Sequence, residues 1–310
     1  MIILVTGGAG FIGSNLVDKL IDLGHEVIII DNLRSGKKEN INSKVQFFQE
    51  DICDKEKIDQ IFEQFKPEVI FHLAAQNEVP YSISHPFEDQ QINILGTINL
   101  LEAARKNDIK KFIYANTGGA FYGDVEENKL PIKEDELVLK PTSFYGVSKL
   151  SAEIYLKLYS NLYGIIGISL RYSNVYGPRQ DGNKEAGVVA IFTEKLLKKI
   201  SPTIFGDGTK TRDYTYVEDV VNANIAALDS NQTNYYNIST GKTTSVLEVF
   251  NAIEKELNTN LQPIFGPERI GDASHSCLDP AKAKQYLDWV AETNFLDGIK
   301  KTVEYYQSKS

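Results

Sequence analysis

LVTGGAGFIG, residues 4–13, places three glycines directly after an apolar run and at the head of the amphipathic stretch NLVDKLIDLG, residues 15–24. Gly7, Gly10 and Gly13 fall at the turn and the first helical residues, and the literal Gly-x-Gly-x-x-Gly spacing is also met through Gly8, Gly10 and Gly13. Glycines at such positions permit a tight turn, close approach of the backbone to a pyrophosphate, and close packing of helix on strand. The helix N-terminus then offers N–H groups and positive potential to an anion. An ordinary glycine-rich turn has the same letters, so what surrounds the motif decides its meaning.

Outward from this turn, short β-branched runs alternate with helical stretches: IILV (2–5), VIII (27–30), VQFF (45–48), VIFHL (69–73), KFIYA (111–115), IIGISL (165–170) and YYNI (235–238). Strands of this kind, nearly continuous in apolar residues, belong to a parallel sheet covered by helices on both faces. The fold class is α/β, a doubly wound parallel sheet. After RYSNVYGPR (171–179) glycine, proline and polar residues cluster, and TIFGDGTKTRDY (203–214) reads as strand, turn, strand. A first domain over residues 1–174 is therefore expected, with the chain re-entering it at about 215–240 and a smaller lobe built mainly from 175–310.

The second strand ends in Asp31, at the distance expected of a carboxylate that accepts hydrogen bonds from an adenosine ribose, or of a plain strand-end turn residue. Arg34 follows, either as a partner for a 2′-phosphate or as a solvated loop charge; Asp31 would repel that dianion, which favours NAD over NADP. Asp51 ends the third strand, where it meets the adenine edge or caps the next helix.

Composition narrows the class. Of 310 residues 42% are apolar and 24% charged, and 42 acidic against 33 basic residues give a net charge of −9, which disfavours general attraction to nucleic acid or anionic membrane. Cys53 and Cys277 are too few for a disulfide framework, and His25, His72, His85 and His275 form no metal-ligand spacing, so no structural metal is expected. The first residues lack the pattern of a signal peptide, no run is long enough to span a bilayer, and the cytoplasm is the default expectation.

TGGAGFIG, Asp31, HLAAQ (72–76), YGVSK (145–149) and RYSNVYGPR follow one another in an order that closely resembles the extended short-chain dehydrogenase/reductases, and within them the UDP-glucose 4-epimerase group. The resemblance continues through IFGDGTKTRDYTYVEDV (204–220), RIGD (269–272) and LDW (287–289), covering nearly the whole chain. It implies NAD-dependent 4-epimerisation of a UDP-hexose through a transient 4-keto sugar. The cofactor site it implies comprises Gly7, Gly10, Phe11, Ile12, Gly13, Asp31, Asn32, Ser35, Gly36, Asp51, Ile52, Leu73, Ala74, Ala75, Gln76, Asn93, Tyr145, Lys149 and Tyr172.

The resemblance also separates two look-alike pairs. Tyr145 and Lys149 stand one helical turn apart, and Tyr305 and Lys309 repeat the spacing in YYQSK. Only Tyr145 begins a helix after the fifth strand, which makes it the expected base with Lys149 on the same face. Lowering a phenol from 10 to about 7 requires roughly 4 kcal/mol of preferential stabilisation of the phenolate, a load that Lys149 and a positive nicotinamide can share.

One stretch departs from the family pattern. Gly118 stands where a Ser or Thr four residues before the Tyr-Gly pair would hydrogen-bond the reacting oxygen; Thr117 takes that role if the strand end bulges, and is otherwise structural. Gly118 and Gly119 stand where related 4,6-dehydratases carry Asp-Glu for elimination, and glycine does no acid–base work, so epimerisation is preferred. For the nucleotide-sugar the matching positions are Asn174, Gly187, Val188, Thr203, Ile204, Phe205, Arg212, Arg269 and Asp272, of which each arginine taken alone is equally a surface ion-pair residue.

Ser276 falls where many members carry a bulky aromatic, which either leaves room for an N-acetylated sugar or marks an exposed loop. Helices at about 93–107 and 144–163 carry surplus apolar residues, suited to a homodimer bundle or to deeper burial within the subunit. The alternatives are another nucleotide-sugar modifier, such as a UDP-glucuronate epimerase or decarboxylase, and a non-catalytic dinucleotide sensor, which the retained Tyr145 and Lys149 disfavour.

Overall fold

A computed structural model describes residues 1–120, 122–123, 125–135, 139–182, 187–268 and 274–309. The strands in chain order are β1 (Ile2–Thr6), β2 (Glu26–Ile30), β3 (Gln46–Phe48), β4 (Val69–His72), β5 (Lys111–Thr117), β6 (Ile166–Tyr172), β7 (Asn174–Tyr176), β8 (Thr203–Phe205), β9 (Thr211–Arg212), β10 (Tyr214–Tyr216), β11 (Asn234–Ile238), β12 (Thr244–Ser245) and β13 (Ile264–Gly266). The α-helices are α1 (Phe11–Asp22), α2 (Lys55–Phe65), α3 (Val79–Ser84), α4 (Pro86–Gln90), α5 (Gly96–Lys106), α6 (Phe144–Tyr163), α7 (Val188–Leu197), α8 (Val217–Asp229), α9 (Val246–Leu257), α10 (Ala281–Leu287) and α11 (Phe295–Gln307).

Seven strands form one parallel sheet in the order β11-β6-β5-β4-β1-β2-β3, the doubly wound α/β architecture expected from the strand pattern. Register explains its core. Ile28, Leu4, Ile70 and Phe112 line up across β2, β1, β4 and β5, so their side chains share one face. That row packs with Ile58 and Phe62 of α2, Leu100, Leu101 and Ala104 of α5, and Ala152 and Leu156 of α6. Residues one step along each strand, Ile3, Val5, Ile29 and Phe71, are equally buried, so both faces are covered. Each such side chain contributes about 1.5–3 kcal/mol when fully buried.

The chain divides into two compact units. The first comprises Met1–Phe121, Pro141–Arg171 and Val221–Tyr236, and the second comprises Tyr122–Lys140, Tyr172–Val220 and Asn237–Ser310. Residues 122–140, read from sequence as part of the first domain, belong to the second unit, where the Tyr122 hydroxyl donates to Asn237 Oδ1 at 2.9 Å and Asn237 N donates to Glu134 Oε1 at 2.8 Å.

The second unit is built on strand pairs rather than on a broad sheet: β7 with β10, β9 with β12, and β8 with β13. The strands of TIFGDGTKTRDY are therefore present but do not pair with each other, because β8 takes Ile264–Gly266 and β9 takes Thr244–Ser245. Helix α11 closes on β7 through Gly298, where an added Cβ would lie 2.0 Å from the Tyr176 hydroxyl.

Candidate dinucleotide and sugar sites

Gly7 turns the chain out of β1 with φ +73°, and a Cβ added there would lie 2.7 Å from Ala74 N, so only glycine lets the turn lie against the end of β4. β1 and β4 are neighbours whose connections leave in opposite directions, the place where open α/β sheets bind ligands. Helix α1 begins immediately afterwards at Phe11, Ile12 and Gly13, without a side-chain cap and without an acidic residue in its first turn. Its first N–H groups are thus left for an anion.

Asp31, 7% exposed, accepts from Ala9 N at 3.0 Å and from Leu33 N at 2.8 Å. Burial pushes its carboxyl up while these two N–H groups pull it down. Asn32 donates to Asp51 Oδ2 at 2.8 Å, and Asp51 also accepts from Cys53 N; burial opposes the charge on Asp51, but these bonds hold its pKa below the ordinary value. The cap of α2 is Asp54, which accepts from Lys57 N, so Asp51 does not play that part. Ser35 is exposed and Gly36 half-buried, and a Cβ on Gly36 would press within 2.9 Å of both Asp31 oxygens. Ile52 is buried, and Leu73, Ala74 and Ala75 are half-buried beyond β4. A bare glycine turn, an uncapped helix start and an anchored carboxylate together suit the pyrophosphate and ribose of a dinucleotide.

A buried polar network leads from this turn to the expected base. His72 Nδ1 lies 2.7 Å from Thr6 Oγ1 and Nε2 lies 2.9 Å from Thr97 Oγ1, whose own proton goes to Asn93 O. Nε2 is therefore the donor and Nδ1 the acceptor. Burial, reinforced by Lys149, drives the pKa of His72 well down and keeps the ring neutral. Gln76 N donates to Asn93 Oδ1, and Asn93 Nδ2 faces Gln76 O, Asp89 Oδ1 and Ser148 Oγ at 2.9, 3.2 and 3.1 Å. Asn93 sits in a π-turn, Gln91–Leu95, that joins α4 to α5; such local widening is common at functional positions.

Helix α6 starts at Phe144 with Ser143 as its cap, accepting from Gly146 N. Gly146 has no room for a side chain, since a Cβ would lie 2.3 Å from Ala120 O; this close approach seats Tyr145 against the end of β5. There the Thr117 side chain lies near enough to Tyr145 to favour its phenolate. Thr117 is the last residue of β5, its N–H held by Asn116 Oδ1, and the chain bends at Gly118.

Lys149, 3% exposed, donates to Ala115 O at 2.6 Å and lies 4.2 Å above the Tyr114 ring. The two side chains that YGVSK sets one turn apart thus have different partners on β5. Desolvation, with Asp89 adding to it, pushes the Tyr145 phenol above its ordinary 10, and Thr117 acts in the opposite sense. Desolvation pulls Lys149 down to about 7 against the raising influence of Asp89 and Glu153. Asp89 was missed in the sequence. Its signal was the spacing Asp89, Asn93, Thr97, a stripe of buried polar residues one helical turn apart.

In the second unit, Tyr172 is buried and Asn174 begins β7 exposed, its N–H bonded to Asp213 O. Gly187 precedes Val188 as the cap residue of α7. In β8, Thr203 is half-buried, Ile204 fully buried and Phe205 39% exposed. Arg212 Nη1 donates to Thr211 O at 2.8 Å, and Ser276 N donates to the same carbonyl at 3.2 Å, which brings Arg212 and Ser276 together on one strand edge. Arg269 and Asp272 lie outside the described residues. The second tyrosine pair ends α11, with the Lys309 ammonium 5.9 Å from the Tyr305 ring.

Residues 3–239 match the model of the NAD dependent epimerase/dehydratase family. Among solved structures, the UDP-glucose 4-epimerase of Thermotoga maritima with UDP-glucose is 46% identical, superposes with a TM-score of 0.97, and is matched over 100% of this chain and 99% of that one. The UDP-glucose 4-epimerase of Thermus thermophilus in complex with NAD is 42% identical, with a TM-score of 0.93 and 100% of both chains covered. A UDP-N-acetylglucosamine 4-epimerase of Methanobrevibacter ruminantium, solved with UDP-N-acetylmuramic acid, is 36% identical, with a TM-score of 0.93 over 99% of this chain and 98% of that one.

Proposed function

The chain belongs to the NAD dependent epimerase/dehydratase family, and we propose that it interconverts UDP-hexoses by inverting carbon 4. The observation that carries this reading is the close approach of Gly146 to Ala120, which seats Tyr145 by the carboxyl end of β5, where Thr117 is followed by two glycines in place of any acid or base. Tyr145 takes the proton of the sugar 4-hydroxyl and returns it after the ketone has turned over. Thr117 hydrogen-bonds the same oxygen and shares its charge. NAD, when bound through the glycine turn and Asp31, supplies the hydride acceptor and a positive ring. Lys149 is the protein's own cation for the developing phenolate; its depressed pKa leaves it partly charged at neutral pH.

Asn174, Gly187, Val188, Thr203 to Phe205, Arg212, Arg269 and Asp272 are assigned to the nucleotide diphosphate, with Ser276 against the hexose. The small side chain of Ser276 supports acceptance of the N-acetylated pair, as does the likeness to an epimerase of UDP-N-acetylglucosamine. Incubating the NAD-loaded protein with UDP-galactose in D2O tests the reading. The expected product is UDP-glucose without deuterium at carbon 4, because the hydrogen that leaves is the one that returns. Deuterium at carbon 4, or undiminished turnover by Tyr145→Phe, would sink it.

The proposal includes a homodimer. Ile154, Leu158 and Leu162 form a stripe along α6 that is 60%, 47% and 62% exposed, and Tyr159 ties this helix to α5 through Glu102 Oε1 at 2.6 Å. An exposed apolar stripe beside a second helix is what a four-helix interface between two copies buries. Leu158→Glu is expected to give monomers by light scattering. The unpaired thiols of Cys53 and Cys277 support a reducing, cytoplasmic setting.

A further inference from the structure

Asp31 and Arg34 lie in one loop and make opposite demands on a dinucleotide. A buried carboxylate suits ribose hydroxyls and repels a 2′-phosphate, whereas an arginine three residues on attracts one. Arg34 is claimed from another direction. Its Nη1 is ion-paired with Glu88 Oε1, and its guanidinium carbon lies 4.8 Å above the Tyr81 ring. Tyr81 donates its hydroxyl proton to the other oxygen of Glu88, and its ring stacks on His85 at 4.1 Å and 8°. The acid that neutralises Arg34 is thus itself held in place from two sides.

Topology gives this cluster its position. Arg34 follows β2, while Tyr81 and Glu88 lie on α3 and α4 after β4, and β2 and β4 are the two neighbours of β1. The contact therefore bridges the two flanks of the glycine turn. Asp51 adds a further negative charge on the same side, feeling the Arg34 charge directly. Glu88 and Arg34 side chains are each 40% exposed, so the ion pair alone is weak and the support of Tyr81 matters to it. The ring of Tyr81 and its hydrogen bond to Glu88 add a fixed geometry to the pair.

We propose that Glu88, supported by Tyr81, sets the dinucleotide preference: it holds Arg34 on α3 and α4, so that a 2′-phosphate meets Asp31 without a matching cation. The proposal rests on the reading of the glycine turn as the NAD site. Glu88 is a positioning residue, since it acts through Arg34 and has no contact with the dinucleotide in this scheme.

The test is competition. The full-length protein and its variants are equilibrated with equal NAD and NADP, desalted, and the retained dinucleotides are counted by chromatography. Asp31→Ser is expected to raise the NADP to NAD ratio about tenfold, Asp31→Ser with Glu88→Gln a further tenfold or more, and Tyr81→Phe in the same background part of that gain. Adding Arg34→Ala is expected to erase the gain. No gain from Glu88→Gln in the Asp31→Ser background overturns the proposal. A gain that survives Arg34→Ala also overturns it, because the cation at work would then be Lys37 or Lys38. Wild-type protein that retains neither dinucleotide would instead remove the underlying NAD reading.

Discussion

Asp89, Asn93 and Lys149 in the first unit and Asn174, Phe205 and Ser276 in the second all belong to candidate site surroundings, yet they are held in opposite ways. The first three are at most 3% exposed and bond to one another's neighbours or to strand carbonyls, so each has one place to be. Of the second three, Asn174 and Phe205 stand on strands paired over three residues and Ser276 follows an isolated bridge at His275, and all are half-buried or exposed. Proton transfer needs reacting groups fixed to a fraction of an ångström, which a helix packed on a seven-stranded sheet supplies. Gripping a nucleotide while a ketone turns over needs less of that fixity, and short strand pairs supply less.

If that division is right, substitutions in the first unit act on kcat and those in the second act on KM. Tyr145→Phe should cost about 10³-fold in kcat with NAD still retained, and a loss under tenfold would break the contrast at its strongest point. Thr117→Val should lose about 10²-fold, with Thr117→Ser recovering most of it because the hydroxyl returns. Equal rates for Val and Ser would make Thr117 structural.

Lys149→Met sharpens the point through stability. Burial holds the folded-state pKa near 7, against an ordinary 10.5. Between these values the unfolded chain binds the extra proton, so this group's contribution to stability rises with pH and is lost as pH falls through 7. In protein stripped of dinucleotide, Lys149→Met should therefore be more stable than wild type at pH 6.5. Its advantage should shrink by about 2 kcal/mol between pH 7 and 9, as read by urea melts. A pH-independent gap would mean that Lys149 is not desolvated as the fold implies. The smallest expected effect is that of Arg212→Ala, about tenfold in KM for the UDP-sugar with kcat nearly intact. A collapse of kcat there would erase the distinction between the two units.

Much of the first unit is legible in the sequence. Gly7, Gly13, Asp31 and the seven strand runs depend on period and local turn chemistry, and those signals lie within a few residues of each other. The Tyr145 and Lys149 pair is legible as a spacing, and its context separates it from Tyr305 and Lys309. That Lys149 is spent on Ala115 O and the Tyr114 ring is not legible, because those partners come from a strand 34 and 35 residues away. The same holds for β8 and β9, which look like a hairpin in sequence and find their partners far along the chain, in Ile264–Gly266 and Thr244–Ser245.

Sequence by itself determined the doubly wound sheet, the dinucleotide turn and the family, since each rests on residue type at short, regular intervals. Tertiary structure alone decided which charges face each other. Arg34 reads as a loop cation until α4 brings Glu88 to it from 54 positions away, and Asp89 is buried only once α4 packs against α6, with Asn93 and Gln76 donating to it. Chain connectivity carries no information about such meetings. They follow from the packing of whole elements, which brings groups together and removes the water that would have screened them.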